Sequence, residues 1–148
     1  MKINKEGFEL VKHFEGCSLV AYPDPATNGE PISIGYGHTG NVKMGSYISQ
    51  DMAETLLLRD LAKFEDGVAS LIHTQVTSDQ FSACVCLAYN IGLGNFGSST
   101  LLRMINADSA LAAADQFLRW DKAAGKVMAG LTKRRKAERK LYLGESWK

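Results

Sequence analysis

Apolar residues recur at helical spacing at Ile3, Gly7, Leu10, Val11 and Phe14, which predicts an amphipathic helix over residues 4–14. Asn4 is placed to cap its start, Ile3 to staple onto Phe8, and Gly16 to supply the left-handed residue that ends many helices. The period then changes. Two short β-type runs, Ser18 to Tyr22 and Ile32 to Tyr36, flank the turn pair Asn28-Gly29, so a small antiparallel sheet is expected within the Gly-, Pro-, Thr- and Tyr-rich stretch 17–47. Helical spacing resumes at Ala53, Leu57, Leu61, Phe64, Val68 and Ile72, one long face running from about 50 to 72 behind a Ser49 cap.

The remainder reads as helical. Thr77-Ser78-Asp79-Gln80 is a capping box, and Phe81, Cys84, Val85, Ala88 and Ile91 follow with few charges among them, as in a buried central helix. Asn90 to Asn95 ends that helix, and Ser98-Ser99-Thr100 opens a short one through Ile105. Asp108 is expected to cap another from Ser109 to about Trp120. Residues 121–130 are glycine-punctuated and looser. A last, basic helix is expected from Leu131 or Thr132 to Leu143, closed by Gly144. The pattern is α+β: a β-containing lobe of residues 14–60, then a long helix leading into a mostly helical lobe of residues 1–13 with 61–148.

Composition narrows the function classes. At 148 residues and 45% hydrophobic, the chain suits a single domain, 1–148, with a real core. No run of about 18 apolar residues is present, so no membrane-spanning helix or stable membrane insertion is expected. The first six residues lack the apolar run of a signal peptide, which predicts synthesis and folding in a cytoplasm. Cys17, Cys84 and Cys86 make an odd count, and the last two point in different directions on one helix. A disulfide framework is therefore not expected; all three read as small buried apolar residues. His13, His38 and His73 show no metal spacing, and no cofactor is expected. Residues 119–148 hold ten Lys or Arg against three Asp or Glu, whereas the first 118 hold seven against thirteen. A basic segment of that kind attracts an anionic polymer such as nucleic acid, an acidic membrane surface or bacterial wall.

Candidate chemistry centres on Glu15 and Asp24. Glu15 falls in the last turn of the first helix, where the negative end of the dipole disfavours a carboxylate by up to about 1 kcal/mol and so favours the protonated acid. Asp24 lies between Pro23 and Pro25 in a turn expected to be solvated, where it stays ionised. Two carboxyl groups in contrasting settings are what glycosidic bond cleavage requires. His38 is expected to orient a loop or to pair with a carboxylate from the following helix. A Cys17–His38 nucleophilic pair is disfavoured because the same helix end opposes a thiolate at Cys17.

Several motifs in order carry a family resemblance: Glu15-Gly16-Cys17; Ser33-Ile34-Gly35-Tyr36-Gly37-His38-Thr39-Gly40; Tyr89-Asn90-Ile91-Gly92; Gly94-Asn95-Phe96; Leu118-Arg119-Trp120; and Gly130-Leu131 with Arg134-Arg135-Lys136-Ala137-Glu138. Together they cover nearly the whole chain and resemble the phage-type lysozymes, glycoside hydrolase family 24. The resemblance implies a lysozyme-like fold and a muramidase that cleaves the β-1,4 bond between N-acetylmuramic acid and N-acetylglucosamine in peptidoglycan. It implies Glu15 as general acid, Asp24 as the carboxylate that directs water or stabilises the sugar cation, and Ser33 at the position usually held by threonine. Ser33 keeps the hydroxyl without the methyl that restricts its rotamer. Eight residues separate Asp24 from Ser33, more than in the best-known members; the excess is expected in the turn at Ala26 to Glu30, where Thr27 offers a weaker alternative hydroxyl.

Asn90, Asn95 and Trp120 then become candidate sugar contacts, and Arg134, Arg135 and Lys126 candidate attractors of the anionic wall. The resemblance further implies a monomer without a nucleic-acid partner, waiting in a host cytoplasm until a separate holin opens the way to the periplasm and wall. Two other classes stay open at this point: a lytic transglycosylase, which would cleave the same bond without Asp24 and leave a 1,6-anhydro end, and a non-catalytic wall-binding domain.

Overall fold

The computed structural model describes residues 1–148. Helices α1 (Lys5–Glu15), α2 (Gln50–Leu71), α3 (Ser78–Ile91), α4 (Leu93–Gly97), α5 (Thr100–Asn106), α6 (Ala110–Ala113) and α7 (Ala129–Tyr142) accompany strands β1 (Ser18–Asp24), β2 (Gly29–Gly35), β3 (Lys122–Ala123) and β4 (Lys126–Val127). The fold is α+β. The chain divides into one compact unit of Lys12–Ala62 and another of Met1–Val11 with Lys63–Lys148. No helix is long and apolar enough to cross a membrane.

In the unit Lys12–Ala62, β1 and β2 form an antiparallel hairpin with Ser18 opposite Gly35, Tyr22 opposite Ser33 and Asp24 opposite Gly29. The register is broken on both sides of Tyr22. From Tyr22 to Asp24 the first strand advances two residues while the second uses four, so β2 bulges between Gly29 and Ser33. The connection differs from the two-residue turn that Asn28-Gly29 suggests. Only Asn28 takes a positive φ, and its N–H closes back onto the Asp24 carbonyl at 2.6 Å, so Pro25 to Asn28 form the loop. Much of the extra length between Asp24 and Ser33 therefore sits in the β2 bulge. Segment 46–48 lies along the other side of β1, with Ala21 N–H donating to the Ser46 carbonyl and Ile48 N–H to the Leu19 carbonyl, both at 2.9 Å.

The other unit holds most of the core. The whole run from Phe81 to Ala88 in α3 is buried, consistent with its lack of charge, and α7 packs against it. The capping box at Thr77 and Gln80 forms in both directions, at 3.0 and 2.9 Å, worth about 1 kcal/mol. Asn4 caps α1 by accepting from the Gly7 N–H at 2.9 Å. Two expectations need correction here. Ser109, not Asp108, precedes α6, makes no side-chain cap, and Asp108 adopts a positive φ; the element then tightens into a 3₁₀ turn over Ala114–Arg119. Burial of Ala114 and Phe117 three residues apart suits that three-residue period. The last helix starts at Ala129, two or three residues earlier than expected.

Gly7 is required for packing rather than for backbone freedom. A Cβ there would sit 2.7 Å from Ile3 Cγ1 and 2.9 Å from Ser82 Cβ. Ile3 has little room to retreat, because its N–H donates to buried Glu65 at 2.7 Å. Alanine favours a helix interior by about 1 kcal/mol over glycine, yet Gly7→Ala is expected to destabilise the protein by about 1–3 kcal/mol through overpacking. Urea unfolding followed by circular dichroism measures this directly.

Candidate active site

The three residues singled out for catalysis all fall in the unit Lys12–Ala62. Glu15 is the last residue of α1, and the helix stops because Gly16 takes φ +70°. Its carboxylate faces the turn after β2, since a Cβ built on Gly37 would lie 3.5 Å from Glu15 Oε1. That turn is tight. Ile34 and His38 exchange both backbone hydrogen bonds at 2.9 Å, and Gly35 and Gly37 adopt φ +68° and +84° within it. Side chains other than glycine resist these angles, so the glycines in the motif have a structural cause. The expected strand through Tyr36 thus ends at Gly35, and Tyr36 turns inward and is buried.

Asp24 ends β1 and is partly exposed. Although its proline neighbours offer it no donor, its Oδ1 accepts from the Ala26 N–H at 2.7 Å, an Asx turn that fixes the carboxylate and leaves Oδ2 for another partner. Ser33 pairs across the hairpin with Tyr22, and cross-strand partners share a face. Asp24 is two residues beyond Tyr22 on β1, and the extra residues of this stretch fall on β2, so alternation returns it to that same face. Thr27 is committed elsewhere: its hydroxyl donates to the Glu30 carbonyl at 2.7 Å and accepts from the Gly29 N–H.

Supporting contacts come from α2. His38 Nδ1 meets the two Asp60 oxygens at 2.8 and 3.1 Å, the carboxylate pairing expected for it. Gln50 is a residue that pattern reading missed. Its Nε2 donates to the Tyr36 hydroxyl at 2.8 Å and to Glu54 at 3.2 Å, and its Oε1 accepts from the Cys17 thiol at 3.8 Å. The Gln50 bond holds the Glu54 carboxyl below its usual range against burial, which acts to raise it, and the Lys12 ammonium adds to the lowering. Gln50 thereby joins the residues flanking Glu15 to the glycine turn. A polar residue at the exposed start of a helix carries no periodic signal, so sequence pattern could not single it out. Cys17 faces Gln50 while His38 faces Asp60, which gives no support to a nucleophilic pair. No group of three His, Cys, Asp or Glu is gathered at metal-binding distance.

The candidate sugar contacts belong to the other unit. Asn90 and Asn95 are exposed, and Trp120 is half-buried. Asn95 Nδ2 donates to the Ile91 carbonyl at 2.8 Å, which leaves its oxygen as the outward group. Arg134 and Arg135 do not lie on the surface as expected. Arg134 is 4% exposed and Arg135 fully buried, both drawn inward by Glu138, itself without solvent contact. Arg134 Nε reaches Glu138 at 3.1 Å and its NH2 the Cys86 carbonyl at 3.2 Å. Arg135 NH1 reaches Glu138 at 2.5 Å, its Nε the Trp120 carbonyl at 2.8 Å, and its NH2 the Asn90 side-chain oxygen. Lys122, Lys126, Lys133, Lys136 and Lys140 do remain on the surface.

The cysteines divide two to one, and Cys17 is the correction. It is exposed, whereas Cys84 and Cys86 are buried and none is bridged. Burial, and then the nearby Glu138 carboxylate, raises both inner thiols well above their ordinary range, so they stay protonated. A thiol-reactive disulfide reagent at neutral pH is expected to modify one thiol quickly and the other two only as the protein unfolds.

The phage lysozyme family model matches residues 12–138. The chain is 47% identical over 148 residues to an endolysin of Bacillus phage B103, covering 99% of this chain but only 56% of that relative. It thus spans little more than half the length of this relative. It is 40% identical to an endolysin of Salmonella phage P22, covering 97% of this chain and 99% of that one. Among solved structures, the muramidase domain of SpmX from Asticaccaulis excentricus superposes with a TM-score of 0.88 at 37% identity, covering 96% of this chain and 97% of that chain.

Proposed function

We propose that this chain, which belongs to the phage lysozyme family, is an endolysin-type muramidase acting on bacterial peptidoglycan. The carrying observation is the placement of Glu15 at the C-terminal end of α1 against the Gly37 turn, with Asp24 anchored by one oxygen at the end of β1. Glu15 is the general acid that protonates the leaving oxygen of the β-1,4 bond between N-acetylmuramic acid and N-acetylglucosamine. Asp24, with the Ser33 hydroxyl on the same face of the hairpin, directs water at the anomeric carbon. The proton lost by that water passes to the carboxylate, and the leaving sugar departs with the proton of Glu15.

Asn90, Asn95 and Trp120 supply contacts to the glycan. Amide groups suit the N-acetyl and hydroxyl groups of these sugars, and an aromatic ring suits their apolar faces. Arg134 is not among these contacts, for the reason given above. The reading includes a monomer that leaves the host cytoplasm through a membrane opened by a separate holin and then meets the wall. The exposed lysines of residues 122–140 favour that encounter electrostatically.

Two experiments test this. Glu15→Gln is expected to lower the clearing rate of permeabilised cells by about 10²–10⁴-fold with an unchanged thermal midpoint; near-normal clearing would refute the assignment. Mass spectrometry of the digest is expected to show hydrated reducing ends, and a 1,6-anhydro end would instead establish a transglycosylase. For the surface charge, the double variant Lys126→Glu/Lys133→Glu is expected to slow lysis at low salt. Its deficit should shrink as ionic strength rises through about 0.1–0.2 M, where the Debye length falls below about 10 Å.

A further inference from the structure

We infer that Arg135 is a positioning residue that locks the Asn90 side chain as a hydrogen-bond donor toward a carbonyl group of the substrate. This rests on the muramidase reading and adds to it a residue and a polarity. A guanidinium has donors and no acceptor, so the Asn90 atom facing Arg135 NH2 must be the amide oxygen. That removes the ambiguity of an asparagine amide. The Asn90 NH2 group is left pointing away from the arginine on an exposed residue, and it can serve only acceptors. An acetamido carbonyl, on every sugar of the glycan, is the acceptor of matching chemistry; a peptide carbonyl of the wall stem offers the same atom.

The lock is rigid because Arg135 is itself immobilised. It has no solvent exposure, and its NH1 and Nε donate to Glu138 and to the Trp120 carbonyl. The same guanidinium therefore fixes the side chain of one proposed sugar contact and the backbone of another, Trp120. A lysine, with one nitrogen, cannot reach all three acceptors from that position. An arginine needed only to neutralise Glu138 would not require two further donors aimed at the end of α3 and at the 3₁₀ turn.

Asn90→Asp separates positioning from packing. The carboxylate still accepts from Arg135, now with a charge-assisted bond, so the thermal midpoint is expected to hold or rise; only the outward donor is lost. On soluble peptidoglycan fragments, KM is expected to rise about tenfold with kcat within about twofold, the loss of one hydrogen bond. Arg135→Lys should raise KM in the same direction. Independently, the Asn90 side-chain amide signal in nitrogen-15 correlation spectra of the wild type is expected to shift on titration with a tetramer of N-acetylglucosamine. An unchanged KM in Asn90→Asp, or an Asn90 amide signal that stays still while others move on titration, would overturn the positioning role and leave the muramidase reading standing. A wild-type protein that clears no wall at all would overturn the muramidase reading instead.

Discussion

A single buried carboxylate organises the helical unit. Glu138 has no solvent contact and sits between the guanidinium groups of Arg134 and Arg135. Taking one ion out of water costs several kcal/mol even after relaxation, so this cluster is tolerable only where every charge and donor finds a partner. The partners are spread over the unit: the Cys86 carbonyl in the middle of α3, the Asn90 side chain at its end, and the Trp120 carbonyl at the end of the 3₁₀ turn. Satisfying Glu138 therefore sets the place of α7 against α3 and, through Arg135, the place of the residues proposed to meet sugar. The buried thiols beside it are kept protonated by the same apolar surroundings and negative charge.

The unit Lys12–Ala62 is organised differently, by backbone geometry. It has a two-stranded hairpin and a long loop, and few of its residues are fully buried. Gly16 ends α1 directly after Glu15, and Gly35 and Gly37 fold the chain back so that the turn faces the Glu15 carboxylate. Side-chain bonds from α2 then pin the loop, His38 to Asp60 and Tyr36 to Gln50. Glu15 and Asp24 are thus held by unlike means: one by the end of a helix, the other by an Asx turn at the end of a strand.

Periodic features were legible because they arise from repetition of one local rule. The apolar faces of α1, α2 and α3, the Asn4 cap and the Thr77 capping box each follow from spacing and are present. Glu15 at a helix end and the carboxylate partner of His38 were legible for related reasons, since each needs only a helix boundary or a neighbouring helix. Elsewhere a local rule lost to packing. Asn28-Gly29 did not form the two-residue turn its chemistry favours, because β2 bulges and takes up the added length. Residues 114–119 wound into a 3₁₀ turn because Ala114 and Phe117 bury together at a spacing of three. Cys17, read as a buried residue, lies on the surface where α1 has ended.

By itself, the sequence determined the element types, the helix-ending glycine after Glu15, the separate settings of the two carboxyl groups and, through the order of its motifs, the family. All of these depend on residues near one another in the chain or on patterns of residue type. Only the tertiary structure decided the fate of the basic C-terminal helix. Its sequence reads as a charged surface, and charge alone does not say which arginines face inward. Arg134 and Arg135 turned out to be interior groups because Glu138, on the same helix, is buried against α3, and an interior carboxylate takes the nearest guanidinium groups in with it.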